Sequence, residues 1–138
     1  MRKLRHVACV LALCGLASFA YAKAVKVFAV TPYAPEKATA DGMAIANYNA
    51  GLGVTEVQVA ITDFTPGSQY IVVVSGIGTG AVATITNPSG NASGHTLAAT
   101  DITGGGTVCM TMEVWLDANW NFEIDAGDTL RASGSSCN

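Results

Sequence analysis

A chain of 138 residues with a formal net charge of −3 and only 12% charged residues is long enough for one domain with its own core and too short for two comfortable ones. Nucleic acid and anionic membrane surfaces are poor partners, because both demand a basic footprint, and here ten acids outnumber seven basic residues.

Residues 1–22 read as a Sec-type signal peptide. Arg2, Lys3 and Arg5 form a basic start, Val7 to Phe19 an apolar run, and Ala20-Tyr21-Ala22 a small-residue cleavage site. The apolar run is shorter than the roughly 20 residues a spanning helix needs, and no later stretch rivals it. The mature chain is therefore expected to have no membrane span and to be exported to the periplasm, the cell surface or the medium. One domain, residues 23–138, remains. It keeps four basic residues (Lys23, Lys26, Lys37 and Arg131) against all ten acids, a formal net charge of −6. Export also removes Cys9 and Cys14, so Cys109 and Cys137 are left in an oxidising compartment, where one disulfide is the default. Such a cross-link contributes roughly 3–4 kcal/mol by restricting the unfolded chain.

In chain order, Lys23 to Val30 is a valine-rich first strand bounded by Pro32 and Pro35, placed to be an edge strand or to pair with a neighbouring subunit. Glu36 to Asp41 allows a single helical turn. Met43 and Ile45 share one strand face, and Asn49 to Gly53 makes a turn. Val54 to Thr62 is a half-buried strand, with Val57, Val59 and Ile61 inward and Glu56, Gln58 and Thr62 outward. Phe64-Thr65-Pro66-Gly67-Ser68-Gln69-Tyr70 then leads into Ile71 to Val74.

This run, from Phe64 to Tyr70 between two valine-rich strands, resembles the tyrosine corner of fibronectin type III and related immunoglobulin-like sandwiches. The resemblance covers Val54 to Val74. It implies that Tyr70 buries its ring and bonds its hydroxyl back to upstream backbone, while Phe64 plugs the core.

Gly76 to Gly80 has the glycines of a dinucleotide loop, yet Ala81 to Thr86 after it alternates like a strand. No helix start is there to hold a pyrophosphate, so the glycines make a turn. Asn87 to Gly94 is a second turn, His95 to Thr100 a short strand, and Gly104 to Gly106 a hinge. Short strands at close spacing, without helical period or repeat, specify an all-β antiparallel sandwich.

The most specific chemistry lies between Val108 and Asp128. Val108, Met110, Met112, Val114 and Leu116 share one strand face, after which Asp117, Asn119, Asn121, Glu123, Asp125 and Asp128 take the one-three-five-seven-nine-twelve spacing of a cation loop. The segment resembles the EF-hand calcium loop and the Asp-rich hairpin loops of secreted bacterial β-domains. By that resemblance all six residues are metal candidates, with Ca2+ the ion; Phe122 stands where glycine is usual, and Asp128 where a glutamate is. The alternative is an acidic turn whose side chains bond local amides without metal. Trp115, Trp120 and Phe122 form either an aromatic platform for a glycan or protein partner, or packing over the loop. Catalysis has little basis, because the mature chain has one histidine, His95, and no nucleophile motif. The expected function is a structural or adhesive module, as a matrix or filament subunit, with carbohydrate binding as its rival.

Overall fold

Strict alternation along Val54–Thr62 builds the first face of the core: Thr55, Val57, Val59 and Ile61 are buried, and Gln58 and Thr62 are exposed. The second face comes from Met110, Met112 and Val114, each fully buried. A computed structural model of the chain describes residues 21–27, 29–77, 81–85, 89–98, 102 and 106–138, with backbone alone at 21–27 and 81–85. The expected signal peptide lies outside the described residues apart from Tyr21 and Ala22, as do Gly78 to Gly80 and most of the glycine hinge.

Nine strands are described: β1 (Tyr21–Val27), β2 (Thr31–Pro32), β3 (Asp41–Asn49), β4 (Val54–Thr62), β5 (Gln69–Ser75), β6 (Ala81–Ile85), β7 (Ala92–Ala98), β8 (Cys109–Asp117) and β9 (Thr129–Cys137). Among the described residues there is no helix. The strands form two antiparallel sheets, β1-β3-β4-β7 and β2-β9-β8-β5-β6, whose inner faces share one core. This is the all-β two-sheet architecture specified by the strand pattern, with the first strand at a sheet edge.

Two local details differ from the sequence reading, and a third was left open by it. No helical turn forms after Pro35; Glu36 N–H donates to Tyr33 O at 2.9 Å and Ala40 N–H to Lys37 O at 2.9 Å, making two separate turns. The strand expected at His95 starts earlier, at Ala92, because it pairs with β4 from Ile61 onward. In β3 the small residues Ala44 and Ala46 face inward while Met43 faces out. The reason is space: a Cβ on Gly42 would lie 2.9 Å from Met112 Cε, so the long methionine from the opposite sheet already fills the gap.

The crossing from β4 to β5 is held by aromatic packing and one carboxylate. Phe64 and Tyr70 are fully buried and meet edge to face, with ring centroids 5.1 Å apart. Gly90 closes the corner from the other side. Its φ of 82° and a virtual Cβ 1.8 Å from Phe64 O leave no room for a side chain, and its carbonyl accepts Phe64 N–H at 3.1 Å. The Glu36 side chain, 2% exposed, accepts from Tyr70 Oη at 2.9 Å, Thr65 N at 3.1 Å and Thr65 Oγ1 at 3.0 Å. A bulge in β9, where Val114 pairs with Ala132 but Trp115 with Leu130, makes Arg131 the extra residue. Its guanidinium lies 4.0 Å from Glu36. Burial, with a smaller contribution from Glu36, pushes the Tyr70 hydroxyl pKa up, so the group stays a neutral donor.

At the far end of the β8–β9 hairpin, Cys109 and Cys137 are directly opposed and disulfide-bonded, with Cα atoms 4.0 Å apart. Among the described residues no helix is long and apolar enough to cross a membrane. Tyr70→Phe removes a hydrogen bond to a buried carboxylate and is expected to lower stability by about 1.5–3 kcal/mol; urea unfolding of the two proteins measures it, and equal midpoints would contradict the role assigned to Glu36.

Candidate functional site: the β8–β9 loop

The loop of residues 118–128 is built from its two ends. Asp117, the last residue of β8, is 1% exposed, and Asp128, just before β9, is 9% exposed. Antiparallel pairing sets Asp117 opposite Gln69 of β5. Gln69 is itself 1% exposed and donates Nε2–H to Asp117 Oδ2 at 2.5 Å. The remaining acceptor capacity of Asp117 receives Asn121 N–H at 3.2 Å and Phe122 N–H at 2.9 Å. Asp128 grips the loop from the other side, accepting Ala118 N–H and Asp125 N–H, each at 2.9 Å. Both ends of the hairpin loop are thus tied by buried carboxylates to loop amides.

Between them the spaced donors meet one another. Asp125 Oδ2 accepts from Asn119 Nδ2 at 2.6 Å and Asn121 Nδ2 at 3.1 Å, and Asp125 Oδ1 accepts Gly127 N–H at 2.9 Å. Asn119 Oδ1 accepts Asn121 N–H at 3.2 Å, and Asn121 Oδ1 accepts Glu123 N–H at 2.8 Å. The Glu123 carboxylate itself stays exposed. Five of the six expected donors are therefore joined in one hydrogen-bonded network, with Glu123 attached through its backbone. The oxygens fit a hard cation in kind. Their arrangement is around amides: among the described residues no group of three or more His, Cys, Asp or Glu is placed to hold a metal.

Such close wrapping forces the backbone through the left-handed region at Trp120 (φ 61°) and Phe122 (φ 63°). Phe122 thus adopts the turn that glycine usually makes at this position. Large side chains rarely adopt this conformation, which costs roughly 1–2 kcal/mol per residue. The two rings are not buried in compensation: Trp120 is 54% exposed, Phe122 49%, and nearby Ile124 43%. Trp115 differs. It is half-buried on β8, opposite Ile71, and its indole N–H donates to Glu113 Oε2 at 3.2 Å. Trp115 belongs to a strand face, and the exposed aromatic pair belongs to the loop. His95 is exposed on β7, in a different sheet from the loop.

The sequence reading missed Gln69 and Glu36. Neither lies in a motif; each matters because pairing or a turn sets it beside a distant partner, 48 residues away for Gln69 and Asp117.

Burial alone pushes the Asp117 carboxyl up, but the amides of Phe122, Asn121 and Trp120 and the Gln69 side chain outweigh it and hold the carboxyl below the usual value of 3.8. Gly127 N–H and the Asn119 amide hold Asp125 low as well. A depressed carboxylate pKa stabilises the fold above the unfolded value and loses that stabilisation as pH falls through the folded value. Thermal melts below pH 4 are therefore expected to show steepening loss of stability that is reduced in Asp117→Asn; parallel curves for the two proteins would contradict it.

Compared with protein-family models, curated proteins and solved structures, the chain matches none.

Proposed function

We propose that this chain is an exported structural or adhesive module of the immunoglobulin or fibronectin-III-like kind, which presents the β8–β9 loop to a protein partner at a cell surface or in a matrix. One observation carries the reading: two large aromatic side chains are held in solvent by a strained and internally bonded backbone. A turn serving connection alone is relieved of strain by glycine or asparagine at such positions. Exposed aromatics on a preorganised loop give contact area at low entropic cost, which suits recognition. The disulfide at the opposite end of the hairpin suits an oxidising compartment.

Flow cytometry of the labelled protein on bacterial cells tests the reading. Trp120→Ala with Phe122→Ala is expected to weaken binding at least tenfold with the fold retained, and binding is expected to disappear when the cells are treated with protease. Unchanged binding by the double variant overturns the role of the loop. Protease-resistant binding competed by soluble glycans favours instead the carbohydrate reading, for which the same exposed rings provide the stacking surface.

Calcium is the second element of the proposal, supported by the spacing of Asp117, Asn119, Asn121, Asp125 and Asp128 and their gathering in one loop. With a dissociation constant near 10 μM, millimolar calcium contributes roughly 2.7 kcal/mol. Melting in calcium against EDTA is expected to show a rise of several degrees that vanishes in Asp125→Ala. The same melting temperature in both buffers removes the metal and leaves the aromatic loop standing.

A further inference from the structure

We infer, on the reading of the β8–β9 loop as a contact surface, that its partner is a cationic segment of another protein, whose arginine side chains stack on Trp120 and Phe122 and pair with the Glu123 carboxylate. Trp120, Phe122 and Ile124 stand at alternate positions and are 54%, 49% and 43% exposed. Between the last two lies Glu123, whose N–H is held by Asn121 Oδ1 at 2.8 Å while its carboxylate stays exposed. Three apolar groups and a carboxylate thus share one short stretch that the loop's own hydrogen bonds keep in place.

The charge around these rings has one sign. From residue 38 to residue 130 the chain contains no lysine and no arginine, whereas Asp117, Glu123, Asp125 and Asp128 all fall in the loop or at its ends. Asp117, Asp125 and Asp128 accept from neutral groups, namely the amides of Gln69, Asn119 and Asn121 and backbone N–H groups. The nearest cations in the fold are engaged elsewhere. Lys37 Nζ lies 2.9 Å from Asp63, and the Arg131 guanidinium lies 4.0 Å from Glu36 while its Nε donates to Thr129 Oγ1 at 2.9 Å. Among the described residues no cationic side chain is paired with a loop carboxylate. The loop therefore turns both its rings and its uncompensated negative charge towards solvent.

That combination decides between occupants. A purely apolar partner face would bury Glu123 without a counter-charge, at a desolvation cost. A neutral glycan would meet the rings and leave the carboxylate unused. A guanidinium meets both demands, because it is weakly hydrated, is attracted to the face of an indole or phenyl ring and pairs in plane with a carboxylate. An ammonium supplies the charge and stacks less well. A second copy of this chain is a poor source of such groups: residues 23–138 hold Lys23, Lys26, Lys37 and Arg131 against ten acids, and Lys37 and Arg131 already face carboxylates of their own.

Fluorescence anisotropy tests this with a labelled peptide of alternating arginine and serine, and with the lysine and glutamate counterparts as controls. The full disulfide-bonded chain is titrated in EDTA, so that no metal competes for the loop oxygens. The arginine peptide is expected to bind at least about threefold more tightly than the lysine peptide, and the glutamate peptide not at all. Trp120→Ala is expected to weaken arginine-peptide binding roughly tenfold, Glu123→Gln roughly threefold, and a rise from about 50 to about 500 mM salt roughly fivefold. Glu56→Gln, on the other sheet, is expected to leave it unchanged. No binding of the arginine peptide overturns the inference, as does a lysine peptide bound equally well, binding that Trp120→Ala leaves intact, or equal losses in Glu56→Gln and Glu123→Gln. Cell binding that needs both rings but is the same at low and high salt overturns the cationic partner and keeps the loop as a contact surface, whereas cell binding indifferent to both rings overturns the two together.

Discussion

The arrangement of this molecule's most distinctive surface depends on one buried carboxylate. Asp117 ends a strand of the five-stranded sheet, is nearly inaccessible to water, and accepts from Gln69 on the adjacent strand and from two amides inside the loop. A carboxylate in such a place costs desolvation energy and is tolerated when its acceptor sites are filled. Here they are filled by the loop itself. The ionised form of Asp117 and the closed loop therefore stabilise each other, and the same contacts fix the positions of Trp120 and Phe122. Their left-handed backbone is the geometric consequence of bringing the Asn121 and Phe122 amides back onto the strand end.

A second carboxylate does comparable work at the crossing from β4 to β5, where the chain changes sheet. Glu36 lies in a turn after Pro35, yet it receives the Tyr70 hydroxyl and both donors of Thr65 and has Arg131 nearby. It joins the segment after β2, the corner before β5 and the bulge in β9. Among the described residues no buried side-chain polar atom lacks a hydrogen-bond partner. The two sheets are held together by the apolar core between them, with the Glu36 contacts added where the chain passes from β4 to β5.

Much of this frame was legible in the residue order because strands announce themselves at period two. Val57, Val59 and Ile61 point inward as their alternation requires, and so do Met110, Met112 and Val114. The corner at Phe64 to Tyr70 was legible from Pro66-Gly67 between two valine-rich runs. In β3 the same rule puts Met43 and Ile45 on one face, which turns out to be the outer one, with Ala44 inward. Alternation gives two faces without saying which is inner. That depends on Met112, which comes from a strand some seventy residues later and already occupies the space.

The sequence by itself determined the strand content, the pairing expected of Cys109 with Cys137 and the clustering of oxygen donors between two strands, because each of these rests on local spacing or on a count of residues. Only the tertiary structure decided that Gln69 would meet Asp117, that Glu36 would bind Tyr70, and that the loop rings would stay in solvent. Those facts belong to strand order and register. Residues far apart in the chain become neighbours through pairings whose energy is spread over whole strands, so no short stretch of sequence contains them.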